Sequence, residues 1–190
     1  MIEFNPPFPR AWRKLHGIEG DFSNDPKDSG GATRFGITEA VARAHGYTGP
    51  MNELPFERAM EIGKVQYWDA LLLDEVAVWS YNVAYEVFEC AFNGGLGTAA
   101  TMLQESLNVL NRSDTGKPLW PDLVVDGHIG MMTVSALESY LGRRGVDGER
   151  VLLKMLNCLQ GARYIRLATS RQKDEKWVYG WFKQRIEIPD

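Results

Sequence analysis

The run Gly17-Ile18-Glu19-Gly20-Asp21-Phe22-Ser23-Asn24-Asp25-Pro26-Lys27-Asp28-Ser29-Gly30-Gly31-Ala32-Thr33-Arg34-Phe35-Gly36-Ile37-Thr38 interrupts a chain that otherwise reads as helix. Ala11 to Ile18 is a short amphipathic stretch, and Glu19 closes it. Asp21 to Gly36 is crowded with Asp, Ser, Asn, Gly and Pro, which predicts turns and a short hairpin. Thr38 is a hydroxyl N-cap for a helix running to Ala44 and closed by Gly46.

Outward from this run the helical pattern continues. Pro55 is placed as the first residue of a helix through Trp68 toward Leu73. Tyr81 to Phe92 is strongly apolar, as a central core helix is, and stops at Asn93-Gly94-Gly95. Thr98 to Leu110 forms the next helix, with a polar loop from Asn111 to Val125. Thr133 to Leu141, Val151 to Ser170 and Trp177 to Ile186 complete the series. The expected fold class is mainly α, a helical body with a small irregular or β hairpin after the first helix. No Pro/Gly/Ser linker divides the chain, so two regions, 1–96 and 97–190, are expected either as separate lobes or as one compact domain.

The interrupting run holds a glutamate at a helix end, then a second carboxylate, then a hydroxyl, separated by glycines that permit tight turns. Glycosidic-bond cleavage uses this inventory. One carboxylic acid protonates the leaving oxygen, and a second group attacks the anomeric carbon or positions a water that does. The two carboxyls need different environments to separate their pKa values. Glu19, beside Ile18 and Trp12, is expected to be partly desolvated, which favours the protonated acid. Asp28, on a polar hairpin, is expected to stay ionised, with the Thr33 hydroxyl helping to hold the water. A second reading of Asp28 is a turn residue that caps its own loop.

This segment resembles the N-terminal motif of glycoside hydrolase family 108, the N-acetylmuramidases found in phage endolysins and bacterial relatives. The matching residues are Glu19-Gly20, Asp25-Pro26 and Asp28-Ser29-Gly30-Gly31-Ala32-Thr33-Arg34-Phe35-Gly36-Ile37-Thr38; Asp21 departs from the second glycine usual in the family. The order Glu19, Asp28, Thr33 is also similar to the Glu-Asp-Thr triad of phage-type lysozymes. The resemblance implies a lysozyme-like fold in which Glu19 is the general acid while Asp28 and Thr33 place the water. It implies hydrolysis of the β-1,4 bond between N-acetylmuramic acid and N-acetylglucosamine, with no cofactor and no metal.

The resemblance extends along the chain. Tyr67-Trp68 with Asp74 beyond is similar to a family tyrosine-tryptophan position, and core aromatics on a helix explain the pair as well. Glu89-Cys90-Ala91-Phe92-Asn93-Gly94-Gly95 resembles a segment in which an acidic residue and an Asn-Gly pair end the central helix at the cleft. Asn93 offers a donor and an acceptor to a sugar acetamido group, or serves as a helix C-cap. Phe35, Tyr67 and Asn93 are thus the expected substrate contacts. From Ala99 onward the chain resembles a small peptidoglycan-binding module, through Leu103-Gln104-Glu105-Ser106-Leu107-Asn108 and Val125-Asp126-Gly127-His128-Ile129-Gly130-Met131-Met132-Thr133. Gly180-Trp181-Phe182-Lys183-Gln184-Arg185 resembles a closing pattern, with Trp181 as core anchor and Arg185 as charge partner.

Composition bounds the alternatives. The 190 residues carry a net charge of -4. Residues 1–100 hold 8 basic and 14 acidic side chains, which would repel phosphates and argues against nucleic acid as partner. Arg163 to Arg185 holds seven basic residues, fitting an anionic polymer such as a cell wall or a solvated helix surface. No apolar run approaches the roughly 20 residues of a membrane span. The two cysteines, Cys90 and Cys158, sit in apolar helical patterns and are expected to be buried free thiols. Met1 to Pro9 carries no secretory signal pattern. A monomer made in the host cytoplasm and acting on the wall after release is expected, as for a phage endolysin. The competing readings are a lytic transglycosylase, which needs no second carboxylate, and a wall-binding or virion module without activity.

Overall fold

The computed structural model describes residues 6–16, 22–23, 31–113 and 115–186. The chain is mainly α-helical with one small three-stranded antiparallel sheet. It divides into two compact units, 1–74 and 75–190.

In the first unit, α1 (Pro7–His16) buries Phe8, Ala11, Trp12 and Leu15, an i, i+3, i+4, i+7 stripe. Trp12 is fully buried, and its indole lies so close to α3 (Phe56–Gly63) that a Cβ on Gly63 would sit 2.1 Å from its Cζ3. Glycine at position 63 is therefore a packing requirement. Pro55 is the N-cap of α3 rather than its first residue. The helix does not run on regularly to Leu73. A π-helical turn at Lys64–Trp68 and a 3-10 turn at Asp69–Leu71 follow it. The wider turn places Trp68 in the core, where its ring meets Phe8 edge-on at 5.5 Å. The Trp68 Nε1–H donates to Asp74 Oδ1 at 2.7 Å, which satisfies the indole inside the core.

The sheet consists of β1 (Phe22–Ser23), β2 (Thr33–Arg34) and β3 (Ile37–Thr38) in that order. Arg34 pairs with Ile37, so the β2–β3 turn has only Phe35 and Gly36 between its strands. Both have positive φ, 50° and 68°, as a type I′ hairpin requires. Phe35 adopts a backbone that costs a non-glycine residue about 1 kcal/mol. Its ring offsets this by packing edge-on to Phe56 at 5.3 Å and His16 at 5.8 Å. Arg34 donates to the Asn52 carbonyl, and its guanidinium lies 5.0 Å from the Phe35 ring centre. Thr38 caps α2 (Glu39–Ala44) by accepting from the Val41 N–H at 3.3 Å, and Gly46 follows with φ 80°.

After α4 (Leu73–Trp79) comes α5 (Tyr81–Gly94) of the second unit, capped by Ser80, whose hydroxyl accepts from the Val83 N–H at 2.9 Å. It packs against α6 (Leu96–Val109) and α7 (Met131–Ser170) and is buried over most of its surface. Residues 142–150, expected to separate two helices, are themselves helical except at Gly145 (φ 55°, ψ −144°), where the axis breaks. The Tyr140 hydroxyl bridges that break by donating to the Gly148 carbonyl at 2.9 Å.

Among its described residues the polar loop after α6 lacks regular structure but not hydrogen bonds. Gln104 donates to Asp126 Oδ1 at 2.9 Å and accepts from the Gly127 N–H at 3.1 Å. Asn108 exchanges a pair of bonds with the Leu123 backbone, each at 2.8 Å. Asn111, fully buried, accepts from the Leu119 and Trp120 amides and donates to the Trp120 carbonyl. Three amide side chains on and just past one helix face thus satisfy the loop's backbone. In α8 (Glu175–Arg185) Trp181 is half-buried and packs on Tyr164 at 5.1 Å. Cys90 is buried as expected, whereas Cys158 is exposed, on the wall of an open groove that it shares with Glu105 and Val109.

Candidate active site

Glu19 and Asp28 lie outside the described residues. The elements around them are described: α1 ends at His16, β1 covers Phe22–Ser23 and β2 begins at Thr33. Thr33 pairs with Ser23 on one side and Thr38 on the other, and is half-buried. Its hydroxyl donates to the Gly31 carbonyl at 3.2 Å. With the proton directed to the backbone, the oxygen lone pairs remain to accept a hydrogen bond.

Phe35 stands two residues on, at the hairpin turn, in the cluster with His16 and Phe56. His16 also packs edge-on to Trp12 at 4.1 Å. The ring cluster ties the hairpin turn to the last turn of α1, the two elements that flank Glu19 in the chain. Tyr67 falls in the π-helical turn, and burial pushes its hydroxyl pKa up.

The second unit holds a group that the sequence pattern hinted at without revealing. Glu89, in the middle of α5, is 5% exposed. Its carboxylate accepts from Asn93 Nδ2 at 2.8 Å and from Gln160 Nε2, and Arg185 Nε lies 3.5 Å away. Asn93 Nδ2 also donates to the Glu89 carbonyl at 2.9 Å. Both amide protons of Asn93 are therefore committed, which leaves Oδ1 as the group it can offer a ligand. Gln160 further donates to the Tyr164 hydroxyl at 2.9 Å. Burial, reinforced by the Glu89 charge, pushes Tyr164 up to about 12. Burial and the Glu89 and Glu86 charges likewise raise the Cys90 thiol to about 12. The sequence suggested Arg185 as a charge partner, and its partner is Glu89. Gln160 was not foreseen; its i, i+4 relation to Tyr164 was the available signal.

Among the described residues no group of three His, Cys, Asp or Glu side chains is arranged to hold a metal ion. Nor is any helix of the described residues long and apolar enough to cross a membrane.

Comparison with known families places both halves of the chain. Residues 12–95 match the family described as glycosyl hydrolase 108, with the whole 17–38 run inside the match. Residues 12–95 belong to glycosyl hydrolase family 108. Behind this glycosyl hydrolase 108 region, residues 98–186 match a predicted peptidoglycan domain. The fold is similar to that of Brucella abortus SagA, with a TM-score of 0.68 at 23% identity over 94% of this chain and 91% of that one. Among curated proteins no match is found. The glycosyl hydrolase 108 region and the domain behind it make the chain a glycoside hydrolase that acts on peptidoglycan.

Proposed function

We propose that the chain is an N-acetylmuramidase that hydrolyses the β-1,4 bond between N-acetylmuramic acid and N-acetylglucosamine. Glu19 is its general acid, and Asp28 with Thr33 holds the attacking water. The observation that carries this reading is the Glu19, Asp28, Thr33 order within the family-matched run, on a hairpin whose Thr33 oxygen is left as an acceptor. Glu19 donates its proton to the leaving oxygen of N-acetylglucosamine as the bond to the anomeric carbon breaks. A water that donates one hydrogen to Asp28 and the other to Thr33 directs a lone pair at the anomeric carbon. Its oxygen forms the new bond there, and Asp28 takes its proton. The product end is a reducing N-acetylmuramic acid. Phe35, Tyr67 and Asn93 are the proposed substrate contacts. The proposed setting is wall lysis of the endolysin kind, as the resemblance of the 17–38 run suggests.

The test is clearance of purified sacculi by wild type and Glu19→Gln, both checked for folding, with mass spectrometry of the released fragments. Gln keeps the shape of Glu and removes the transferable proton, so the rate should fall by about 10²- to 10⁴-fold. Reducing N-acetylmuramic ends from wild type support the hydrolase. Anhydro ends, or a Glu19→Gln variant as fast as wild type, would overturn the reading.

A further inference from the structure

A groove in the second unit carries charges that have no ion-pair partner among the described residues and that the proposed reaction does not use. It is a cavity of about 560 Å³ between α6 and α7, within the range of a small-ligand site. The α6 wall presents Thr98, Thr101 and Glu105, spaced three and four residues apart and so on one face. The α7 wall presents Arg163 and Arg166, with Leu159 and Leu167 on either side of them.

The two helices run antiparallel along the groove. The start of α6 lies near Arg163, whose guanidinium carbon is 3.4 Å from a Cβ built on Gly94, while Val109, near its end, shares a second cavity with Met155 and Cys158. Glu105 and Leu159 belong to both cavities and mark the middle of the joint groove. The groove is therefore polarised, with two guanidiniums toward one end and a carboxylate about 10 Å along, taking 1.5 Å per residue over the seven residues from Thr98 to Glu105. Arg163 and Arg166 bond to backbone carbonyls, and among the described residues neither forms an ion pair with a carboxylate. Glu105 is exposed and likewise has no basic partner among the described residues.

We propose that this groove binds the peptide moiety of peptidoglycan, a short stem peptide that places carboxylates at Arg163 and Arg166 and a diamino-acid ammonium toward Glu105. The inference rests on peptidoglycan being the partner of this chain. It goes further in assigning the contact to peptide and not to glycan. Two observations favour peptide. Guanidiniums pair with carboxylates in forked, charge-assisted bonds, and stem peptides are rich in carboxylates. None of the described residues lining the groove is aromatic, whereas a sugar ring binds best against an aromatic face. The leucines beside the charges suit alanyl methyl groups.

The test is calorimetry on the full chain with two probes: a soluble tripeptide of L-alanine, γ-D-glutamate and meso-diaminopimelate, and glycan strands stripped of peptide. Saturable binding of the tripeptide is expected. Arg166→Glu and Glu105→Lys, both at exposed positions, should each weaken it about tenfold or more. Amidating the tripeptide's carboxylates should weaken binding to wild-type protein by a similar factor, a comparison that does not depend on any variant folding. No saturable binding at millimolar tripeptide, unchanged binding in both variants, or stripped glycan displacing the tripeptide would each overturn the proposal. Release of reducing ends from sacculi, read on the same preparations, reports hydrolysis separately. A chain that cleaves but ignores the tripeptide loses this inference alone. A chain that binds the tripeptide but does not cleave loses the muramidase reading alone.

Discussion

Asn93 directs both of its amide protons at one residue, Glu89, reaching the backbone carbonyl at 2.9 Å and the carboxylate at 2.8 Å. Each target is an acceptor, so the amide cannot flip without losing both bonds. The end of α5 is thereby locked, and the lock depends on a charge kept almost wholly from water.

That dependence predicts an asymmetric mutational response. Glu89→Ala removes the anion from Arg185, whose side chain is only 13% exposed, and from Gln160. Breaking such a buried pair should cost about 3–5 kcal/mol. Glu89→Gln, which keeps an acceptor for Asn93, should cost less. Urea unfolding monitored by circular dichroism measures both, and equal losses would contradict the network.

Thr33 is predicted to act through its hydroxyl oxygen. Thr33→Val keeps the β-branched shape that suits β2 and removes the acceptor, so sacculus hydrolysis should fall about 10- to 100-fold, the worth of one lost hydrogen bond. Thr33→Ser should stay close to wild type. A Val variant as active as wild type would remove Thr33 from the proposed machinery.

Gly63→Ala is predicted to be severe although it adds one methyl group. The new Cβ would lie 2.1 Å from Cζ3 of a fully buried Trp12, so the indole or α3 must shift. Overpacking of this kind costs about 1–3 kcal/mol, and a thermal melt should show a clear drop. The neighbouring change Lys64→Ala, at a half-exposed site, is the control.

The thiols should react in two classes. Exposed Cys158 should label readily at neutral pH, whereas Cys90, buried and raised from 9.0 to about 12, should label only on unfolding. Titration with a chromogenic disulfide reagent, native and in denaturant, counts one and then two. The same shift has a pH consequence. Cys90 and Tyr164 have folded-state values of about 12, above their ordinary 9.0 and 10.0, so their neutral forms are favoured in the fold. Stability is intact below about pH 9 and declines toward pH 12, as the unfolded chain releases protons the folded chain retains. Flat stability across that window would show that these groups are not buried as described.

Local chemistry made much of the architecture legible. The Thr38 cap, the Gly46 stop, the hairpin and the apolar run of α5 are written in adjacent residues. The family motif was legible for the same reason, being contiguous from Glu19 to Thr38. What escaped depends on distant partners. A glutamate inside an apolar helix reads as an oddity until Gln160 and Arg185, 71 and 96 residues on, are seen to meet it. The π-helical turn at Lys64–Trp68 has no propensity signature, and the contact it accompanies, Trp68 against Phe8, joins residues 60 positions apart. Cys158 sits in an apolar stretch of sequence, yet it opens onto a groove beside Glu105 and Val109, a placement that depends on the partner helix. The basic run from Arg163 to Arg185 read as one surface, yet Arg185 turns inward to Glu89 and Arg163 lines a groove.

The three amides at Gln104, Asn108 and Asn111 have a consequence for how this region can change. They hold the loop at three points, and among the described residues the turn between Ser113 and Lys117 is fastened chiefly to itself, the Ser113 amide donating to the Lys117 carbonyl at 2.9 Å. Length can vary there as slack varies in a rope between cleats. Inserting one residue into α6 between Gln104 and Asn108 would instead turn the later amides by about 100° and cast the loop off. The helix is thus the ruler of this region and the loop its adjustable margin.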